Sequence, residues 1–302
     1  MDRFKILLVI DSFGWAFDYG ARGIQKYGKH NYTIKRYCDV TVEDIQDIDV
    51  LFVYSATLWN IMRRNVLLMK AVTTKNLRVC VGQRAGPNWG NPVPLYDKLI
   101  NAIGCISTES YNYTVKRELE SKTGRKVYLT LSGVDESIFK PAPQNHADFI
   151  VGWAGNPNAV IKRFPLIFKL GFNIQAKTDW GSQYFIQARS QQPMADWYNT
   201  VDVYINISTT EGISQTILEA MASGLPVVAT AVGGTIDVLD KEWLVPENPE
   251  SEVIRIMKEK LQSLKDDIEL RKIVGERNRQ KILKDWAWSV AVKRYEDMFE
   301  DK

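Results

Sequence analysis

The chain has 302 residues, 45% of them hydrophobic and 25% charged, with a formal net charge of +3. That length accommodates two domains of roughly 150 residues each, and the composition is that of an ordinary soluble globular protein. So small a charge gives no argument for nucleic acid, although it does not exclude it, and no apolar run reaches the ~18 residues of a membrane span. Cys38, Cys80 and Cys105 are odd in number and form no CxxC pair, which points to a reducing, cytoplasmic compartment without a disulfide frame. His30 and His146 are the only histidines, which excludes a histidine-rich metal site. Basic residues exceed acidic ones over the first 140 residues, and acids exceed bases in the remainder. A mildly basic first half suits an anionic acceptor or peripheral contact with an anionic membrane. A solvated, unevenly charged surface explains it equally well.

Ile6–Ile10 predicts a first strand, too short for a signal peptide and followed at once by an acid. The loop DSFGWAFDYGARG leads into a helix around Ile24–Tyr27. In an open α/β sheet this loop lies at the carboxyl edge, where ligands bind. Gly14 lets a phosphate or sugar approach the backbone, but Gly14, Gly20 and Gly23 form no clean dinucleotide fingerprint. Trp15 and Phe17 suit stacking on an acceptor and packing beneath the loop equally. Further strands are predicted at Asn31–Tyr37 and Val50–Tyr54. Asp47 and Asp49 form a DxD triplet but precede the strand VLFVYS, so they read as turn residues rather than metal ligands. Leu58–Val72 predicts one helix with Arg63, Arg64 and Lys70 exposed. The strand Leu77–Val81 runs into the loop GQRAGPNWGNP, which places Gln83 and Arg84 at the same edge. Pro94–Ile103 reads as a helix, CISTES as a short strand, Tyr111–Ser121 as a helix and Lys126–Leu131 as a strand. The polar, proline-marked segment from Pro141 to Ala147 is the expected linker.

The second half opens with a strand at Phe149–Trp153 and the loop AGNPNAVIKRF. Strands at Phe172–Ala176 and Tyr184–Arg189, a helix through Met194–Tyr198 and a buried strand at Val201–Ile207 follow. The stretch Thr209–Thr235, TTEGISQTILEAMASGLPVVATAVGGT, reads as a loop, a helix, a stop, a strand and a second glycine loop. Gly224 and Pro226 end the helix, and Val227–Ala229 suits a central parallel strand. Glu211 stands at the mouth of the helix. Glu219 stands inside it among Ile217, Leu218, Ala220 and Met221, where an unpartnered carboxylate would be costly to desolvate. Sugar or ribose hydroxyls would serve as its partners. The amides of Gly212, Ile213 and Ser214 start the helix and favour a phosphate. An amphipathic helix with a capping Glu211 and an exposed Glu219 is the plain alternative. The combination of EG, LEAMASG, PVVAT and VGG argues against it. Trp243–Pro246 reads as a strand, and Ser251–Leu264 and Asp267–Lys284 read as helices.

EGISQTILEAMASGLPVVATAVGG, with seven residues between its two glutamates, resembles the donor-site signature of GT-B glycosyltransferases, and most nearly the retaining family four (glycosyl transferases group 1). SGVDESIFKP resembles that family's NGVDxxxFxP turn, with Ser132 in place of Asn. DWAWSVAVKRYEDMFE resembles its terminal helix, which makes Trp286, Val290 and Tyr295 packing residues. The resemblance implies an α/β fold of two Rossmann-like domains facing across a cleft. The acceptor domain would cover 1–145 and the donor domain 146–285, with 286–302 as a helix crossing back to the first. It implies transfer of a sugar from a UDP- or GDP-sugar to an unknown acceptor, with retention, no metal and no further cofactor. The implied catalytic residues are Glu211, holding the sugar, and Lys162, gripping the diphosphate. Gly14, Gly155, Asn156, Arg163, Arg189, Gly212, Ile213, Ser214 and Glu219 complete the donor site, with Glu219 on the ribose. Trp15, Gln83 and Arg84 face the acceptor. Asn156 stands where the family has Arg, with Arg163 as a candidate replacement, and Gln83 and Arg84 stand where it often has His. A sugar-nucleotide epimerase of the same fold and a non-catalytic sugar-nucleotide-binding protein remain rival readings.

Overall fold

A computed structural model describes residues 3–83, 97–108, 120–143, 147–178 and 190–302. The chain divides into two compact units. Unit 1 comprises Met1–Gly133 with Trp288–Lys302, and unit 2 comprises Val134–Ala287.

Unit 1 is built on six parallel strands, β1 (Lys5–Ile10), β2 (Asn31–Arg36), β3 (Val50–Val53), β4 (Arg78–Gln83), β5 (Ala102–Cys105) and β6 (Lys126–Leu129), in the order β2-β1-β3-β4-β5-β6. KILLVI, VLFV and AIGC are near-continuous apolar runs because helices cover both faces of the sheet. On one face Leu7, Val9, Leu51, Val53 and Val79 pack with Trp59, Leu68 and Val72. These last come from helices α3 (Ala56–Met62) and α4 (Val66–Lys75), which lie beside α2 (Val42–Asp47). On the other face lie α1 (Ala16–Tyr27) and the terminal helix α9 (Trp288–Glu300). Trp288, Ala291, Val292, Tyr295, Met298 and Phe299 recur at helical spacing and pack on Ile6, Leu8, Phe52 and Cys80. Tyr295 donates its hydroxyl to the Thr130 carbonyl at 3.1 Å.

Several expectations need correction. Leu58–Val72 is two helices, because the Asn65 side chain accepts from the Leu68 amide at 3.1 Å and starts a new one. Among the described residues of the helix expected at Pro94–Ile103, 97–103, none is helical, and the strand expected at CISTES instead ends at Cys105. Residues 97–101 are turn and irregular chain, and residues 102–103 begin β5, which is buried on both faces and hydrogen-bonded between β4 and β6. Val290 is 39% exposed, since the packing face of α9 is set by Trp288, Ala291 and Tyr295 and leaves position 290 outside. The strand expected at Tyr184–Arg189 and most of the helix expected at Tyr111–Ser121 lie outside the described residues.

Unit 2 holds five parallel strands, β7 (Ile150–Ala154), β8 (Asn173–Lys177), β9 (Val203–Asn206), β10 (Val227–Thr230) and β11 (Leu244–Val245), in the order β11-β10-β9-β7-β8. Its helices include α5 (Gln192–Tyr198), α6 (Gln215–Ala222), α7 (Glu250–Asp266) and α8 (Ile268–Asp285). α7 presents Val253, Met257, Leu261 and Leu264 to the sheet at intervals of three and four. α6 ends at Gly224 with φ +79°, a left-handed position that suits a residue without Cβ.

Candidate active site

The order in which strands are added reverses in the unit 2 sheet between β7 and β9, the first and third of its strands. Ligands of open α/β sheets bind beyond the carboxyl ends at such a switch point. The two loops that leave β7 and β9 there are the ones that carry Lys162 and Glu211.

After β7, the Gly155 amide donates to the Lys177 carbonyl at 3.0 Å. Asn156 then makes a local turn, its Oδ1 accepting from the Asn158 amide at 3.0 Å. A single 3₁₀ turn, Val160–Lys162, follows. The Thr209 amide donates to the Ile161 carbonyl at 2.9 Å and ties this loop to the one after β9. Lys162 Nζ thereby reaches Glu211 Oε1 at 2.5 Å. Arg163 points elsewhere. Its guanidinium donates to the Glu247 carbonyl at 2.8 Å and to Asn248 Oδ1 at 3.2 Å, so it does not stand in at Asn156.

Glu211 is also held from beneath. Asn206, the last residue of β9, donates through Nδ2 to Glu211 Oε1 at 3.2 Å and to Ser214 Oγ at 3.0 Å. Its Oδ1 accepts from the Ser208 amide at 2.9 Å. Ser214 Oγ lies 3.0 Å from Thr216 Oγ1, which accepts from the Tyr204 hydroxyl at 2.8 Å. α6 begins at Gln215 with Ser214 as its N-cap, so Gly212 and Ile213 belong to the loop that precedes the helix. The second glycine loop presses against this one. The Gly234 amide donates to the Gly212 carbonyl at 2.8 Å, and a Cβ at Gly233 would stand 1.7 Å from the Glu211 carbonyl oxygen.

Glu219 is 3% exposed, and burial pushes its carboxyl up to about 8. Gln191 Nε2 lies 3.4 Å from Oε1, and the Tyr198 hydroxyl lies 3.1 Å from Oε2. That hydroxyl also lies 3.1 Å from the Thr216 carbonyl, which can only accept. A tyrosine hydroxyl has one hydrogen. Donated to Glu219, that hydrogen favours the carboxylate, as does Gln191, and burial outweighs both.

The structure thus joins Lys162, Glu211, Ser214 and Glu219 in one network. Sequence reasoning missed Asn206, Tyr198, Tyr204 and Thr216. A polar residue within the apolar run VYIN was the available signal for Asn206, because a buried amide must find hydrogen-bond partners. Gly14, Trp15 and Gln83 lie in unit 1, at or beyond the carboxyl ends of β1 and β4. Gly14 has φ +81° and donates its amide to Asp18 Oδ2 at 2.8 Å, and Trp15 is 44% exposed at the start of α1. Arg84 and Arg189 lie outside the described residues. Asp47 pairs with Lys5 at 2.7 Å, and Asp49 accepts from the Lys5 amide at 2.8 Å. Among the described residues, no group of three His, Cys, Asp or Glu is placed to hold a metal. A cavity of about 1080 Å³ lined by Phe149, Phe172, Lys258 and Arg271 lies at the amino ends of the unit 2 strands, away from Lys162 and Glu211.

This architecture is the GT-B glycosyltransferase fold. A glycosyltransferase from Rickettsia africae superposes with a TM-score of 0.74 at 14% identity over 100% of this chain and 99% of that one. Alr3699/HepE of Anabaena, in complex with UDP and glucose, superposes with a TM-score of 0.73 at 12% identity over 99% and 100%. Residues 173–267 match the family model described as Glycosyl transferases group 1, so unit 2 carries that family's pattern. The sulfoquinovosyl transferase SQD2 of Arabidopsis thaliana is 35% identical over 98 residues, 30% of this chain and 18% of that protein. The matches span a quarter or less of the curated relatives' lengths.

Proposed function

We propose that the protein is a glycosyltransferase that moves a sugar from a nucleotide sugar, UDP- or GDP-linked, to an acceptor hydroxyl. The observation that carries this reading is the Lys162–Glu211 pair at the carboxyl edge of the unit 2 sheet, within a segment that matches the group 1 family. The donor diphosphate takes Lys162 from Glu211, and sugar hydroxyls take the place of the ammonium on the freed carboxylate. The bond from the anomeric carbon to the phosphate oxygen breaks, and its electron pair leaves with the nucleoside diphosphate. The acceptor oxygen forms the new bond and passes its proton to the departing phosphate oxygen. Lys162 and the amides before α6 hold the charge that grows on the leaving group. Glu219, close to neutral at physiological pH, can both donate to and accept from ribose hydroxyls. Retention of configuration and independence from metal follow the family resemblance. The basic excess of the first half suits an anionic acceptor or an acceptor held at an anionic surface, and the free cysteines Cys80 and Cys105, both buried, suit a cytoplasmic location. Among the described residues no helix is long and apolar enough to cross a membrane.

The test is calorimetric titration with UDP and GDP, followed by a nucleotide-sugar hydrolysis and transfer assay with and without chelator. Binding of one nucleotide, and turnover that survives chelator, are expected. Turnover restored by Mg²⁺ after chelation would overturn metal independence. Interconversion of the nucleotide sugar without acceptor would identify an epimerase. Binding without any turnover would identify a non-catalytic sugar-nucleotide-binding protein.

A further inference from the structure

Exposed apolar side chains that adjoin one another often mark an interaction site. Val66 and Leu67, the first two residues of α4, are 76% and 69% exposed. Among the described residues they are the only sequence neighbours in the set of exposed large hydrophobics. The fold does not need them, because α4 packs on its unit through Leu68 and Val72. Ile61, on the other side of the turn between α3 and α4, is exposed as well.

The chain around this corner is basic in sequence. No Asp or Glu occurs between Asp49 and Asp97, whereas Arg63, Arg64 and Lys70 fall within that stretch. Arg63 pairs with Asp97 at 3.5 Å, and that same carboxylate accepts from the Trp59 indole at 3.2 Å. Arg64 and Lys70 are exposed, and Lys70 lies one turn from Val66 and Leu67 on the same side of the helix. The acids of α2 lie toward the other end of α4, where Lys75 Nζ donates to the Gln46 carbonyl at 2.7 Å.

We propose that the α3–α4 corner docks on an anionic lipid bilayer, inserting Val66 and Leu67 below the headgroups while Arg64 and Lys70 meet lipid phosphates. A protein partner fits less well, since a stable interface covers roughly 800 Å² on each side, far more than three apolar side chains supply. Shallow bilayer attachment needs a few inserted apolar groups together with a basic flank, and both occur here. The inference localises the anionic-surface contact of the proposed function, yet it is tested without nucleotide.

The experiment is flotation of the full chain with vesicles of phosphatidylcholine alone and of phosphatidylcholine mixed with phosphatidylglycerol. The protein should float with the mixed vesicles only, and added salt should release it. The double variants Arg64→Glu with Lys70→Glu, and Val66→Ser with Leu67→Ser, should each lower partitioning by roughly tenfold or more. Both should keep the wild-type melting temperature and nucleotide affinity, which separates this inference from the reading of the site. Absence of wild-type flotation, equal partitioning of the variants, or equal binding to uncharged vesicles would overturn it. Self-association without lipid that the Val66→Ser, Leu67→Ser variant abolishes would assign the corner to a second copy instead.

Discussion

Lys162 and Glu211 pair at 2.5 Å, and in the proposed reaction the donor diphosphate takes the ammonium from the carboxylate. A cation at a departing diphosphate gains interaction energy as charge develops, which lowers the barrier rather than merely tightening binding. Lys162→Ala should therefore reduce kcat by about 10²–10³ while raising the donor KM much less. Steady-state kinetics check this, and normal kcat with a raised KM would make Lys162 a binding residue only. Arg163→Ala should do less, because its guanidinium is already held by Glu247 and Asn248. Glu219 makes a different prediction. Its carboxyl ordinarily titrates at 4.5, and burial raises it to about 8. Between those values the folded protein keeps a proton that the unfolded chain has lost, so stability should fall as pH rises through that window. The loss is on the order of 5 kcal/mol. Glu219→Gln, which mimics the protonated form, should flatten the pH profile seen in thermal melts. A wild-type profile already flat between those values would remove the buried proton. Glu219→Ala should also weaken binding of the free nucleoside diphosphate.

At the scale of elements, two glycine-containing loops meet behind Glu211. Gly233 has φ +49° and lies against the backbone of Glu211. Gly233→Ala combines a left-handed backbone, costing about 1–2 kcal/mol, with a contact that only a shift of the Glu211 loop can relieve. Lower thermal stability and weakened nucleotide binding are expected together, and a variant normal in both would show that the two loops do not depend on each other. The terminal helix is the other element that matters out of proportion to its length. Trp288, Tyr295 and Phe299 are buried in unit 1 although they lie far from it in sequence. Each contributes ~1.5–3 kcal/mol through burial, against a total of about 5–15 kcal/mol for a typical domain. The helix end is further anchored by Glu300, which meets Lys29 Nζ at 2.5 Å and His30 Nε2 at 2.9 Å. A chain ending at Ala287 should lose the cooperative unfolding transition of unit 1. An intact first transition in calorimetry would contradict this.

For the whole molecule, two parallel sheets supply two sets of loops at carboxyl edges, one beyond β1 and β4 and the other beyond β7 and β9. Much of this was legible in the sequence. KILLVI, VLFV, VYIN and VVAT announce buried parallel strands because a sheet covered on both faces has no polar side to alternate with. The EG…LEAMASG spacing pointed to the candidate site because a backbone turn, a helix start and two carboxylates are local features. What lay beyond local reach was decided by packing. Whether Arg163 faces the ligand depends on Glu247 and Asn248, more than eighty residues away. Whether Leu58–Val72 forms one helix or two depended on a side-chain cap competing with continued helix. The protonation of Glu219 depends on the tertiary fold that buries it and brings Tyr198 and Gln191 to its oxygens, since a carboxyl titrates according to the solvent and donors that surround it. The sequence by itself determined which segments are buried and where the loop chemistry lies, because periodicity and turn residues act over a few positions. Only the tertiary structure decided which charges pair and which carboxyl keeps its proton, because desolvation and hydrogen-bond geometry are set by residues that meet only when the chain is folded.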